Sequence, residues 1–262
     1  MKLVDTHCHI NFDSYDSDRA AVLHRAAEAG VDTVIIPAID LETSRQIPVL
    51  CEAHSGLYAA VGIHPNSTAD FDEPHLDQIT ALVAHKRVVS IGEIGLDYHW
   101  DKSPKAQQFR AFEAQLALAA RLELPVIIHN REASADTLAI LTTWAQSLPE
   151  SLKERAGVLH SYSGDLAMAE KALTLGFYFG FTGPITYKNA DETRRIAAAL
   201  PLDRLLVETD GPFLTPIPYR GQRNEPSYIP LIIERMAGVR QIAPDALAAA
   251  TTANAARLFQ LH

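Results

Sequence analysis

Pro125-Val126-Ile127-Ile128-His129 is a short apolar, β-branched run that stops on a histidine. Read as a strand, it is buried on both faces, the mark of a parallel sheet covered by helices. Runs of the same kind recur at Lys2 to Thr6, Thr33 to Pro37, Leu57 to Gly62, Val88 to Glu93, Gly157 to His160, Phe177 to Phe181 and Arg204 to Glu208. Helical segments separate them, so the eight runs predict an α/β fold, a TIM-type (β/α)8 barrel with parallel strands.

Among the helices, Lys105 to Leu122 carries the clearest signals. Ser103-Pro104 reads as an N-cap followed by proline at the first helical position, and Phe109, Phe112, Leu116 and Ala119 recur on one face. Gly30 and Gly176 read as C-terminal caps. Asp210 to Pro226 is rich in Pro, Gly and Arg and reads as a functional loop after the last strand, followed by helix-like Ser227 to Gly238 and a last helix from Pro244 to Phe259. The chain has 262 residues, 47% of them hydrophobic, which suits one barrel domain spanning residues 1–262.

The opening Met1-Lys2-Leu3-Val4-Asp5 leads into charged sequence without a long apolar segment, so a cytoplasmic protein without a membrane anchor is expected. Cys8 and Cys51 are too few for a disulfide framework and are expected as reduced thiols. A net charge of −9 argues against broad electrostatic adhesion to nucleic acid or anionic membranes. It leaves a phosphate-bearing substrate open, because bound cations would neutralise acidic ligands.

The chemistry concentrates where the predicted strands end. In Asp5-Thr6-His7-Cys8-His9, alternation turns His7 and His9 to one side and Cys8 to the other. Glu93, His129, His160 and Asp210 stand at other strand ends. Any one of these is equally well a polar terminus meeting solvent. Six metal-binding side chains at the end of a barrel where active sites are built point to a cation site. Glu208 reads as a carboxylate that orients a histidine, although it shares a face with Asp210 and alternation cannot choose between them.

The sequence resembles the TatD-like metal-dependent deoxyribonucleases of the amidohydrolase superfamily. The likeness is carried by Asp5-Thr6-His7-Cys8-His9, Val61-Gly62-Ile63-His64-Pro65, Ile91-Gly92-Glu93-Ile94-Gly95-Leu96-Asp97-Tyr98, His129-Asn130-Arg131-Glu132-Ala133, His160-Ser161-Tyr162-Ser163-Gly164, Glu208-Thr209-Asp210-Gly211-Pro212-Phe213-Leu214, Arg220 to Pro226 and Asn254 to Phe259. The resemblance implies two divalent metal ions, one on His7, His9 and Asp210, the other on His129 and His160, with Glu93 bridging. It also implies that His64 contacts the substrate or the bridging water. The sequence departs from the family at His160-Ser161-Tyr162 and at Gly211, which bears on substrate preference and loses no ligand.

The expected activity is therefore hydrolysis of DNA phosphodiesters by a metal-bridging water, with Asp210, Glu93 and His64 as catalytic groups. A small-molecule amidohydrolase or esterase on the same metal pair is the alternative, since a fold does not fix the scissile bond. His64 has a second reading, a hydrogen bond that holds its loop. Arg131, Arg220 and Arg223 are candidates for substrate phosphate, or else they are tied to Glu225 and carboxylates beside Asp210. Tyr98, Trp100, Tyr162, Phe213 and Tyr219 can stack on bases or pack loops. Mixed nitrogen and oxygen donors suit Zn, Mn, Fe or Ni, whereas the resemblance brings Mg into consideration.

Overall fold

The computed structural model describes residues 2–261. Its strands are β1 Leu3–Asp5, β2 Val31–Pro37, β3 Leu57–Val61, β4 Val88–Asp97, β5 Val126–Arg131, β6 Gly157–Leu159, β7 Phe177–Phe181 and β8 Leu205–Val207. They pair in parallel in sequence order, which is the barrel topology expected. The crossovers are α1 Arg19–Glu28, α2 Leu41–Glu52, α3 Glu73–Val83, α4 Lys105–Leu122, α5 Ser134–Ala145, α6 Leu166–Leu173 and α7 Asp191–Ala199, followed after β8 by α8 Ile229–Arg240 and α9 Pro244–Phe259. No helix among the described residues is long and apolar enough to cross a membrane.

One buried cluster takes a residue from every strand: Val4, Ile35, Tyr58, Val89, Ile127, Val158, Tyr178 and Leu206. Residues that meet from all the strands fill the barrel interior, and Leu258 and Phe259 of α9 join them. Phe259→Ala should cost about 3–5 kcal/mol, as expected for removing a buried aromatic side chain. Urea titration measures the loss, and an unchanged midpoint would show that α9 does not close the core.

β1 and β8 meet at a seam held by backbone and side-chain hydrogen bonds together. Thr6 N–H donates to Val207 O at 3.2 Å, Asp210 N–H donates to His7 O at 2.8 Å, and Cys8 bridges to Gly211. The buried Asp5 carboxylate accepts from Thr209 N–H at 2.9 Å, Thr209 Oγ1 at 2.5 Å and His7 N–H at 3.2 Å. Burial raises its pKa to about 7, against these donors.

The structure corrects several expected boundaries. β1 stops at Asp5, so His7 and His9 lie beyond it, in a segment pinned by the Cys8 bridge. β4 runs on to Asp97 instead of ending at Glu93. Gly95 allows this: its φ is +146°, and a Cβ there would sit 2.0 Å from His129 O on β5. Pro104, not Ser103, caps α4, because its extended ψ of 139° leaves its carbonyl to accept the first helical bonds. Ser103 instead accepts from Thr68 N–H. The expected helix from Ser227 divides into a 3-10 turn, Pro226–Tyr228, and α8, whose Gly238 lies inside the helix.

Candidate metal centre at the barrel mouth

The interior column of side chains continues upward by the two-residue period of a strand. It leads from Ile127 to His129, from Val158 to His160, from Tyr178 to Gly180 and from Leu206 to Glu208. Glu93 comes from β4, while Asp210 is turned inward by a left-handed backbone, φ +55°.

These donors meet. His7 Nε2 lies 3.3 Å from His9 Nε2 and 3.4 Å from Glu93 Oε2, and His9 Nε2 lies 3.8 Å from the same oxygen. Asp210 Oδ1 is 3.7 Å from Nε2 of His7, of His9 and of His160. Glu93 Oε1 is 2.8 Å from His129 Nδ1 and 3.9 Å from His64 Nε2. Three overlapping ligand groups result: His7, His9 and Glu93; His7, His160 and Asp210; His64, Glu93 and His129. The resemblance pairs His160 with His129, whereas the geometry sets His160 beside His7, their rings stacked at 3.4 Å.

Most of these spacings are too long for good hydrogen bonds. Ligands about 2.0–2.2 Å from a shared ion stand roughly 3–3.6 Å apart; His7 Nε2 to His9 Nε2 and to Glu93 Oε2 fall in that range at 3.3 and 3.4 Å, and the spacings of 3.7–3.9 Å lie a few tenths of an ångström wider. The ionisation of His9, His64 and Glu93 agrees, whereas burial of His129 and His160 is outweighed by carboxylate partners that raise the pKa of each to about 9. Burial, with His7 beside it, lowers the pKa of His9 to about 3, and burial with His129 beside it does the same to His64, leaving both imidazoles neutral. Glu93 is held well below the carboxylate range, as its neighbouring histidines outweigh burial. The residues present therefore fit divalent cations.

Two further carboxylates grip the histidines from behind. Glu208 Oε2 accepts from His160 Nδ1 at 2.8 Å and from Ser161 N–H at 3.0 Å, and Oε1 accepts from Thr6 Oγ1 at 3.2 Å. Burial opposes protonation of His160, yet Glu208 prevails and raises its pKa to about 9. Gly180 makes room for this carboxylate, since a Cβ there would lie 2.1 Å from Glu208 Oε2. Glu208 and Asp210 thus separate: β8 ends at Val207, and alternation no longer applies at Asp210.

Asp97 plays the matching part for His129, and the sequence reading missed it. Its Oδ2 accepts from His129 Nε2 at 3.0 Å and from Asn66 Nδ2 at 3.2 Å, while Oδ1 accepts from His99 N–H at 2.9 Å and Trp100 N–H at 3.1 Å. The available signal was the even spacing Glu93, Gly95, Asp97 along one strand face. Partners that orient a ligating histidine are worth about 10–100-fold in metal affinity. Asp97→Asn should weaken cation binding by about that factor, read by competition with a chelating dye. Unchanged affinity would reduce Asp97 to a loop anchor.

The loop-holding reading of His64 is seen directly. Its Nδ1 accepts from Asn66 N–H at 3.1 Å and caps the turn Pro65–Ser67, while its ring lies 4.4 Å from that of His129. The arginines divide. Arg223 is engaged in a bidentate pair with Asp18 at 2.8 and 2.7 Å, and Glu225 pairs with Arg25, so the loop is tied across to both ends of α1 and not to carboxylates beside Asp210. Arg131 and Arg220 lie over the rings of Trp100 and Tyr187 at 5.6 and 4.5 Å. Cys8 is buried, and its Sγ faces Gly211 O at 3.7 Å, away from the ligand groups.

A parallel barrel whose strand ends draw histidines and carboxylates into shared ligand groups defines a metal-centred (β/α)8 enzyme site. Residues 4–260 match the family described as TatD related DNase, and the chain belongs to that family. A Bacillus subtilis (strain 168) relative, the uncharacterized metal-dependent hydrolase YabD, is 42% identical over 99% of this chain and 100% of its own. The 3'-5' ssDNA/RNA exonuclease TatD of Cronobacter turicensis is 37% identical, covering 98% of this chain and 97% of its own. The crystal structure of YjjV, a TatD homologue from Escherichia coli K12, superposes with a TM-score of 0.91 at 36% identity, covering 99% and 98% of the two chains. The chain is thus a metal-dependent hydrolase of the TatD family.

Proposed function

We propose that this hydrolase cleaves phosphodiester bonds of single-stranded DNA with two divalent cations held by His7, His9, Glu93, His129, His160 and Asp210. The observation that carries the reading is the division of Glu93: Oε2 faces His7 and His9 while Oε1 faces His129, so one carboxylate serves two ligand groups. The relative named as a single-strand DNA/RNA exonuclease supports the substrate class.

When bound, the cations supply Lewis acidity at the phosphoryl oxygens and lower the pKa of a water. The chain supplies the rest. Burial raises the carboxyl pKa of Asp210 although His160 and His7 oppose it, which suits a group that accepts the proton of the attacking water. His64 is neutral with its Nδ1 already accepting, so its proton sits on Nε2, 3.9 Å from Glu93 Oε1, from where it donates to a phosphoryl oxygen. Arg131 and Arg220, which have no carboxylate partner among the described residues, bind flanking phosphates.

The test is a screen of metal-reconstituted protein against single-stranded DNA, phosphomonoesters, neutral esters and amides, with His129→Ala as control. Nucleotide release that His129→Ala abolishes is expected. Turnover confined to esters or amides would overturn the phosphodiesterase reading.

A further inference from the structure

The large hydrophobic side chains exposed among the described residues are Val49, Trp100, Phe213, Ile217 and Tyr219. All but Val49 lie on the loops after β4 and β8, at the barrel mouth. Their gathering around the candidate ligands, and not their exposure alone, makes them candidates for substrate contact.

The rings there differ in how free they are. Tyr162 is buried, donates to Asp165 O and packs on Phe179. Tyr98 donates to Asp136 and has Lys105 Nζ 3.7 Å over its ring. Tyr219 is stacked on Tyr228 at 4.6 Å. Phe213, 54% exposed, touches Phe12 only edge to face, and Phe12 stacks on His9 at 4.6 Å, so a ladder of rings leads outward from a candidate ligand. Trp100, 48% exposed, carries His99 at its edge and the Arg131 guanidinium over one face at 5.6 Å, which leaves the other face for a base.

Each free ring is fastened to the centre by its own backbone. Phe213 N–H donates to Asp210 O at 2.9 Å. Trp100 N–H donates to the Asp97 carboxylate that also holds His129. In a closed ring of eight strands in sequence order, β4 and β8 stand opposite one another, so the two rings flank the ligand groups.

We propose that Phe213 and Trp100 are base-stacking platforms, each taking a nucleobase on one side of the scissile phosphate; this rests on the phosphodiesterase reading. The net charge of −9 argues against a broad basic face, and stacking holds a single strand without one. Every base has a π-face, so the proposed clamp requires single-stranded substrate and tolerates any sequence.

The test compares steady-state hydrolysis of oligothymidylate with that of the same oligomer carrying abasic residues in its last two positions, at either end. Phe213→Leu and Trp100→Leu keep apolar bulk at exposed sites and remove the π-face. Each should raise KM on oligothymidylate about 5- to 100-fold with little change in kcat, and change KM far less on the oligomer whose abasic end occupies the site. Phe213→Trp and Trp100→Phe should behave as wild type. Equal effects of the Leu variants on intact and abasic oligomers, or none on either, would overturn the stacking assignment while leaving the nuclease in place. A wild-type protein that cleaves neither oligomer would instead overturn the phosphodiesterase reading, and stacking with it.

Discussion

Glu93→Gln should lower kcat by about 10³-fold or more, the scale set when an interaction of several kcal/mol with the reaction centre is lost. The substitution keeps the shape of a side chain that is nearly buried. It replaces an anion whose two oxygens face different ligand groups with an amide that offers one neutral oxygen. Whichever way the amide turns, its NH2 faces either His7 and His9 or His129, and one group loses its carboxylate donor. Metal content of the purified variant should fall together with the rate, while circular dichroism stays unchanged. Full metal content with wild-type turnover would remove Glu93 from the bridging position.

Asp210→Asn should lower kcat by about 10²- to 10⁴-fold, the range for losing a positioned proton acceptor, with KM changed little. The side-chain oxygen that sits 3.7 Å from three imidazoles has a counterpart in asparagine, so the cation site should survive better than in Glu93→Gln. What is lost is the capacity to take a proton. A variant that retains its metal and fails to turn over supports that role. One that purifies without metal assigns Asp210 to ligation alone, and one that turns over normally excludes it from both roles.

Much of the barrel was legible because its strands are buried on both faces. Runs such as Phe177–Phe181 need no partner to be recognised, and the helices Lys105–Leu122 and Pro244–Phe259 follow from helical periodicity, strong at Phe109, Phe112, Leu116 and Ala119, and from an N-terminal proline. The donors at strand ends were legible for the same reason, as strand period carries the core pattern of Ile127 and Val158 onto His129 and His160.

What escaped depends on contacts between distant parts of the chain. β4 outruns its apolar run because Gly95 lets it lie against β5, and Asp97 is reached only by that extension. Arg223 reads either as a phosphate ligand or as tied to carboxylates near its own loop, and its actual partner, Asp18, lies 205 positions away. Alternation set Glu208 and Asp210 as equals, and the end of β8 with the left-handed turn at Asp210 decides between them.

The seam between β1 and β8 makes this centre depend on both ends of the chain. Thr6 and Glu208 touch across 202 positions, a non-local contact whose chain-closure entropy must be met before the contact stabilises anything. A partly folded chain that lacks β8 would present its N-terminal histidines without their C-terminal carboxylates and would hold cations only weakly. The ion, once taken up, would then work as a clasp between the first strand and the last, so that holding the metal and keeping the cylinder shut become a single equilibrium.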